Sequence, residues 1–165
     1  MSNENGFSSA LRPMGTLDTL HVSPQPVRGL MVREPWAGLI LAGEKTWEIR
    51  GTRTSMRGSI YIIPSGSGRV AGYCEIVDCI GPLTIEQLIE NSSAHLTPPD
   101  ELRLLGLPYK KTFAWVLANP NRFEGPIPYR HPSGAITWVD LGELKKELLC
   151  QRDLEWRSME PSAHS

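Results

Sequence analysis

Apolar and polar positions along the chain change period several times, and each change marks an element. Trp36, Leu39, Ile40 and Gly43 recur at i, i+3, i+4 and i+7, so Pro35–Ala42 reads as a helix entered through proline. Gly43 ends it, because a residue without Cβ takes a positive φ freely. From Thr46 the period is two: Trp47 and Ile49 face one side, and Thr46, Glu48 and Arg50 the other. Short apolar runs bounded by Gly, Pro or Ser predict strands at Gly29–Arg33, Gly58–Ile63 and Arg69–Ile80, the last being the longest. Ser65-Gly66-Ser67-Gly68 is a hairpin turn, and Gly81-Pro82 closes the long strand.

Thr84 is an N-cap for a helix that reaches Asn91 through Ile85, Leu88 and Ile89. A second helical piece, Pro99–Leu105, stops at Gly106. Lys111–Ala118 is a strand with Phe113, Trp115 and Leu117 on one face, followed by a Pro-rich loop over 120–132. The last strand is Ala135–Asp140, with Ile136 and Trp138 on one side, and Leu141, Leu144 and Leu148 make an outer amphipathic helix. Five or six strands with a few short helices predict an α+β domain built on a small, closed or nearly closed mixed β-barrel. Its expected core includes Trp36, Ile40, Ile62, Trp115 and Trp138. Residues 1–27, rich in Ser, Gly, Pro and Asn, read as a disordered extension; 28–156 as the domain; 157–165 as a flexible tail.

At 165 residues this is one domain with a real core. A net charge of −1 excludes a molecule that coats nucleic acid through bulk basicity, so any such contact comes from a local patch. Lys45, Arg50, Arg53, Arg57 and Arg69 make one, offset by Glu44 and Glu48. Cys74, Cys79 and Cys150 are odd in number and lack a metal-ligand spacing, so they read as reduced thiols, with no metal or cofactor. Cys74 and Cys79, five apart on one strand, are expected on opposite faces. Neither a membrane-spanning run nor the apolar core of a signal peptide is present, which predicts a cytoplasmic protein without membrane contact.

The candidate chemistry sits at the helix–strand junction, in Gly43-x-Lys45-x-x-Glu48-x-Arg50. Arg50 offers a planar fork to phosphate or carbonyl oxygens, Glu48 an acceptor for an amino group, and Lys45, if desolvated, a base. The structural alternative is a Glu48–Arg50 pair that only holds the barrel mouth. Trp36 and Trp47 serve either as stacking platforms or as core. Glu75 is either a second cleft carboxylate or an outward strand residue, and His131 either an acid/base or an exposed loop side chain. His95 and His21 carry less weight.

Pro35-Trp36-Ala37, the Gly43-to-Arg50 motif and Arg57-Gly58 together resemble the ASCH domain family. Gly72-Tyr73-Cys74-Glu75-Ile76-Val77-Asp78-Cys79 is similar to the family's Gly-led strand, and Gly134-Ala135-Ile136-Thr137-Trp138 to its closing strand. The likeness spans roughly residues 29 to 140, with Glu34 standing where many members have Gln. It implies a barrel related to the PUA fold, with a basic cleft beside the motif that binds RNA or a nucleotide-like or nucleoside ligand. The ligand-binding candidates are then Lys45, Glu48, Arg50, Arg57 and Trp47. A bacterial branch hydrolyses the amide of N4-acetylcytidine, and other members are ribonucleases, which implies a metal-free hydrolase as the alternative, with Lys45 and Glu48 catalytic. Lys45 matches the hydrolase lysine, whereas the hydrolase threonine falls at Glu48.

Overall fold

The computed structural model describes residues 26–159. Most of the expected N-terminal extension, and residues 160–165 of the expected tail, lie outside them. Strand β1 (Arg28–Val32) leads into helix α1 (Trp36–Leu41) and strand β2 (Trp47–Arg50), then β3 (Gly58–Pro64) and β4 (Arg69–Ile80). Three short helices follow, α2 (Ile85–Glu90), α3 (Ser92–His95) and α4 (Pro99–Leu105). Strands β5 (Phe113–Pro128) and β6 (Trp138–Asp140) precede a 3₁₀ turn and helix α5 (Lys145–Met159). Helix α2 begins with a capping box, Thr84 and Gln87 each satisfying the other's backbone N–H.

The six strands form one mixed sheet in the order β2-β5-β4-β3-β1-β6, with β1 and β3 parallel and all other pairs antiparallel. The sheet curls into a half-barrel, and β2 and β6 are its edges. Alternation on β3 shows how both faces are used: Ile60 and Ile62 enter the interior with Leu30, Ile76, Trp115 and Leu117, while Tyr61 and Ile63 pack outside with Phe123 and Leu148. A third apolar cluster, Leu83, Leu88, Leu102 and Ala114, lets α2 and α4 cover the outer face of β2 and β5. Of the expected core, Ile40, Ile62 and Trp115 are buried, whereas Trp36 and Trp138 are partly exposed.

Several expectations need correcting. The longest strand is β5, at 16 residues against 12 for β4, and it runs through the segment expected to be a Pro-rich loop. The prolines are tolerated because β2 pairs only with residues 113–116, so the far half of β5 has a free side that needs no N–H donor. Three register shifts along β4 and β5 also break strict alternation. They bring Cys74 and Cys79 into the same interior cluster, against the expectation of opposite faces. Strand β6 keeps only the end of Ala135–Asp140, and Ile136 is 82% exposed, not paired inward with Trp138. Backbone also crosses closely at Gly72, where a Cβ would overlap Asn121 O and lie 2.8 Å from Leu41 Cδ2.

Candidate functional site

The candidate motif is set by a change of direction after α1. Gly43, at φ +78°, turns the chain, and the N–H groups of Glu44 and Lys45 both donate to Leu39 O. Thr46 then ties β2 to its surroundings, its N–H donating to Ala94 O and its carbonyl accepting from Leu117 N–H. This brings Lys45 alongside Glu48 and Arg50, which share a face of β2 because they are two residues apart. Trp47 and Ile49 point the other way, toward Leu83, Leu88 and Ala114. The division of faces read from the sequence holds, but the charged face turns inward, not to solvent.

The three charged groups form one row. Lys45 Nζ lies 3.1 Å from Glu48 Oε2, and Arg50 Nε 3.0 Å from Glu48 Oε1. The Arg50 Nε–H is not aligned for a hydrogen bond to that oxygen, so the second contact is an ion pair by proximity. Lys45 also donates to Trp47 O and sits 5.7 Å from the centre of the Trp36 ring. Arg50 donates to Met31 O at 2.8 Å and lies 5.8 Å from the Trp115 ring, which itself stacks on Trp138 at 5.5 Å. Lys45 and Glu48 are only 5% and 7% exposed. Burial pushes the Lys45 ammonium below its ordinary pKa, and the nearby Glu48 carboxylate opposes that shift without cancelling it.

The row forms the floor of an open cleft of about 520 Å³. One wall is the end of β1 with Arg33; the other is α4 and the chain after it, through Leu105, Leu107 and Tyr109. Trp36 and His95 also face this space. The charged lining residues are Arg33, Lys45, Arg50, Glu48 and Glu101, a balance of +1.

His95 is the residue that sequence reasoning undervalued. It is 1% exposed, its Nε2 is 2.8 Å from Leu88 O, and its Nδ1 accepts from Thr97 N–H at 3.1 Å. A carbonyl at one nitrogen and an N–H at the other select the neutral ring with its proton on Nε2. Burial lowers its pKa, the Leu88 carbonyl pulls the other way, and Lys45 adds to the lowering. The available signal was its seven-residue spacing from the apolar Leu88.

Of the five ligand-binding candidates the cleft gathers Lys45, Glu48 and Arg50. Trp47 packs on the opposite face of β2, and Trp36 takes the aromatic place in the cleft. Arg57 is exposed and pairs with Asp78 at 3.2 Å, away from the lining. Glu75 is not a second cleft carboxylate; it accepts from Asn119 Nδ2 at 2.9 Å. His131 is exposed and within 3.0 Å of Tyr129 Oη. Among the described residues no group of three or more His, Cys, Asp or Glu is placed to hold a metal ion. None of their helices is long and apolar enough to cross a membrane.

A profile of the ASCH domain matches residues 30–127, which takes in β1, the whole Gly43–Arg50 motif and most of β5. The chain belongs to the ASCH family. Crystal structures of ASCH from Zymomonas mobilis share the fold. The protein without a stated mutation aligns at 15% identity and TM-score 0.58, over 76% of this chain and 94% of the other. Two point mutants of it align at 18% and 17% identity, TM-scores 0.57 and 0.59, over 76% of this chain and 96% and 98% of theirs. Curated proteins give no match. ASCH membership accounts for the half-barrel with short helices; what its cleft holds is a separate question.

Proposed function

We propose that this ASCH domain recognises a nucleobase-bearing ligand, in RNA or as a nucleotide or nucleoside, on the floor formed by Lys45, Glu48 and Arg50. One observation carries the reading: ionisable side chains, two of them more than nine-tenths buried, line the base of an open cleft. Buried ion pairs add little net stability over apolar side chains of the same volume, so stability alone does not account for them. The chemistry suits a base. Glu48 accepts from an exocyclic amino group, the Lys45 and Arg50 N–H groups donate to carbonyl oxygens, and the Trp36 ring, 5.7 Å from Lys45 Nζ, lines the same cleft.

The test is binding calorimetry with a panel of nucleosides and short single-stranded RNAs. Lys45→Ala is expected to weaken binding by about 1–3 kcal/mol, the range for a lost charge-assisted contact, in a protein shown by circular dichroism to be folded. Unchanged affinity in that folded variant overturns the reading. The lowered pKa of Lys45 favours one second reading, a metal-free hydrolase with that amine as base. Lys45→Arg separates the two, because it keeps the charge and removes the titratable amine. A binder keeps most of its affinity, and a lysine-dependent hydrolase stops releasing product. Glu48, standing where the hydrolase branch has its threonine, favours the binder.

A further inference from the structure

The floor charges pair with one another, whereas the β1 end of the cleft carries a charge with no partner among the described residues. Arg33 is exposed, lines the cleft, and takes part in no ion pair or side-chain hydrogen bond among the described residues. Ser65, also in the lining, is its neighbour across the end of the β1–β3 ladder: the Ser65 N–H donates to Val32 O at 2.8 Å. The Ser65 hydroxyl likewise has no partner among the described residues.

The opposite wall has a different character. Leu105, Leu107 and Tyr109 are 71%, 40% and 42% exposed there, and among the described residues its unpaired charge is the carboxylate of Glu101. An anion is therefore favoured at the Arg33 end and disfavoured at the α4 end. A long strand of nucleic acid needs a run of cations to follow its phosphates, and among the described residues this mouth supplies one free guanidinium.

We propose that Arg33 and Ser65 bind the phosphate of a nucleoside monophosphate whose base lies on the Lys45–Glu48–Arg50 floor. The inference rests on the nucleobase reading of that floor and adds the ligand's class and its orientation. The guanidinium fork matches two phosphate oxygens, and the hydroxyl donates to a third. A cleft of about 520 Å³ is within the size range of sites for a ligand of this kind. Because Arg33 is exposed, replacing it leaves the core untouched.

The experiment titrates the four ribonucleosides, their 5′-monophosphates and a short single-stranded RNA into the full chain and into Arg33→Gln, at low and at moderate salt. For the base that binds, the monophosphate is expected to be about tenfold tighter than its nucleoside, the factor for one charge-assisted contact at a solvated site. Arg33→Gln should abolish that difference while leaving nucleoside affinity unchanged, and added salt should narrow it in the unmodified protein. Equal affinity for nucleoside and monophosphate overturns the inference, and so does a difference that survives in Arg33→Gln. So does binding of the RNA alone. Each of these leaves the nucleobase reading standing. Failure of nucleosides, monophosphates and RNA alike overturns both.

Discussion

Removing the positive charge of Lys45 tests whether the charged floor is a coupled, buried unit. In Lys45→Met the aliphatic stem is kept, but Glu48 loses the ammonium at 3.1 Å and the Trp47 carbonyl loses its donor. Stranding a fully buried charge costs about 3–5 kcal/mol. Here Arg50 still lies 3.0 Å from the other carboxylate oxygen, though its N–H is misaligned. We therefore expect roughly half that loss, about 2 kcal/mol, in urea unfolding followed by tryptophan fluorescence. For a chain of this size that corresponds to a fall in Tm of about 4–8 °C. Adding Glu48→Gln removes the stranded charge, so the double variant should regain about 1 kcal/mol relative to additivity. A loss under about 0.5 kcal/mol for Lys45→Met, or strict additivity in the cycle, refutes the reasoning: the row would then be solvated and its members independent.

Two further outcomes are expected. The folded pKa of His95 is depressed, so above its ordinary value near 6.5 the ring is neutral in both states and pH has no effect through it. Below that value the unfolded chain takes up a proton that the native ring resists, so stability falls as pH drops from about 7 to about 5. His95→Gln, which cannot titrate, should show a shallower fall in urea midpoints over the same interval, and an identical slope counts against the assignment. Gly72→Ala forces a methyl group against Asn121 O and Leu41, where β4 and β5 pass closely. Calorimetric melting should show a loss of about 2–4 kcal/mol, and a change below 1 kcal/mol would mean that the crossing is looser than described.

The readable parts of the fold were those in which local chemistry and tertiary packing agree. The helix from Trp36 to Leu41, its Gly43 exit, the alternation of β2 and the full length of β4 all follow from side-chain period and from glycine. The far half of β5 was not readable. Prolines 120, 126 and 128 argue locally for a loop, and only the short reach of β2 leaves that stretch a free side. The Cys74 and Cys79 faces were misjudged because a bulge adds a residue that strand period does not count. In the site, the motif identified the three floor charges but neither their burial nor the role of His95, whose partners are the Leu88 carbonyl and the Thr97 N–H. Backbone partners leave no side-chain signature in a sequence. Arg33 is illegible for the opposite reason: its feature is that it has no side-chain partner among the described residues, which only the fold reveals.

The half-barrel leaves β2 and β6 each with one edge that no strand pairs among the described residues, and the cleft opens on that side, with β2 on one bank and the end of β1 on the other. Among the described residues no rung of backbone hydrogen bonds spans it. What reaches across is side chain: the Arg50 guanidinium to Met31 O, and the Trp115 indole laid on Trp138. On the proposed reading, a guest molecule in this seam does the work of a missing strand. Anything that bonds to both banks supplies cross-links that the polypeptide lacks, so filling the cleft and stiffening the domain are a single event. Affinity and rigidity here have to change together, and a substitution that tightens the seam without a guest narrows the room in which a guest must fit.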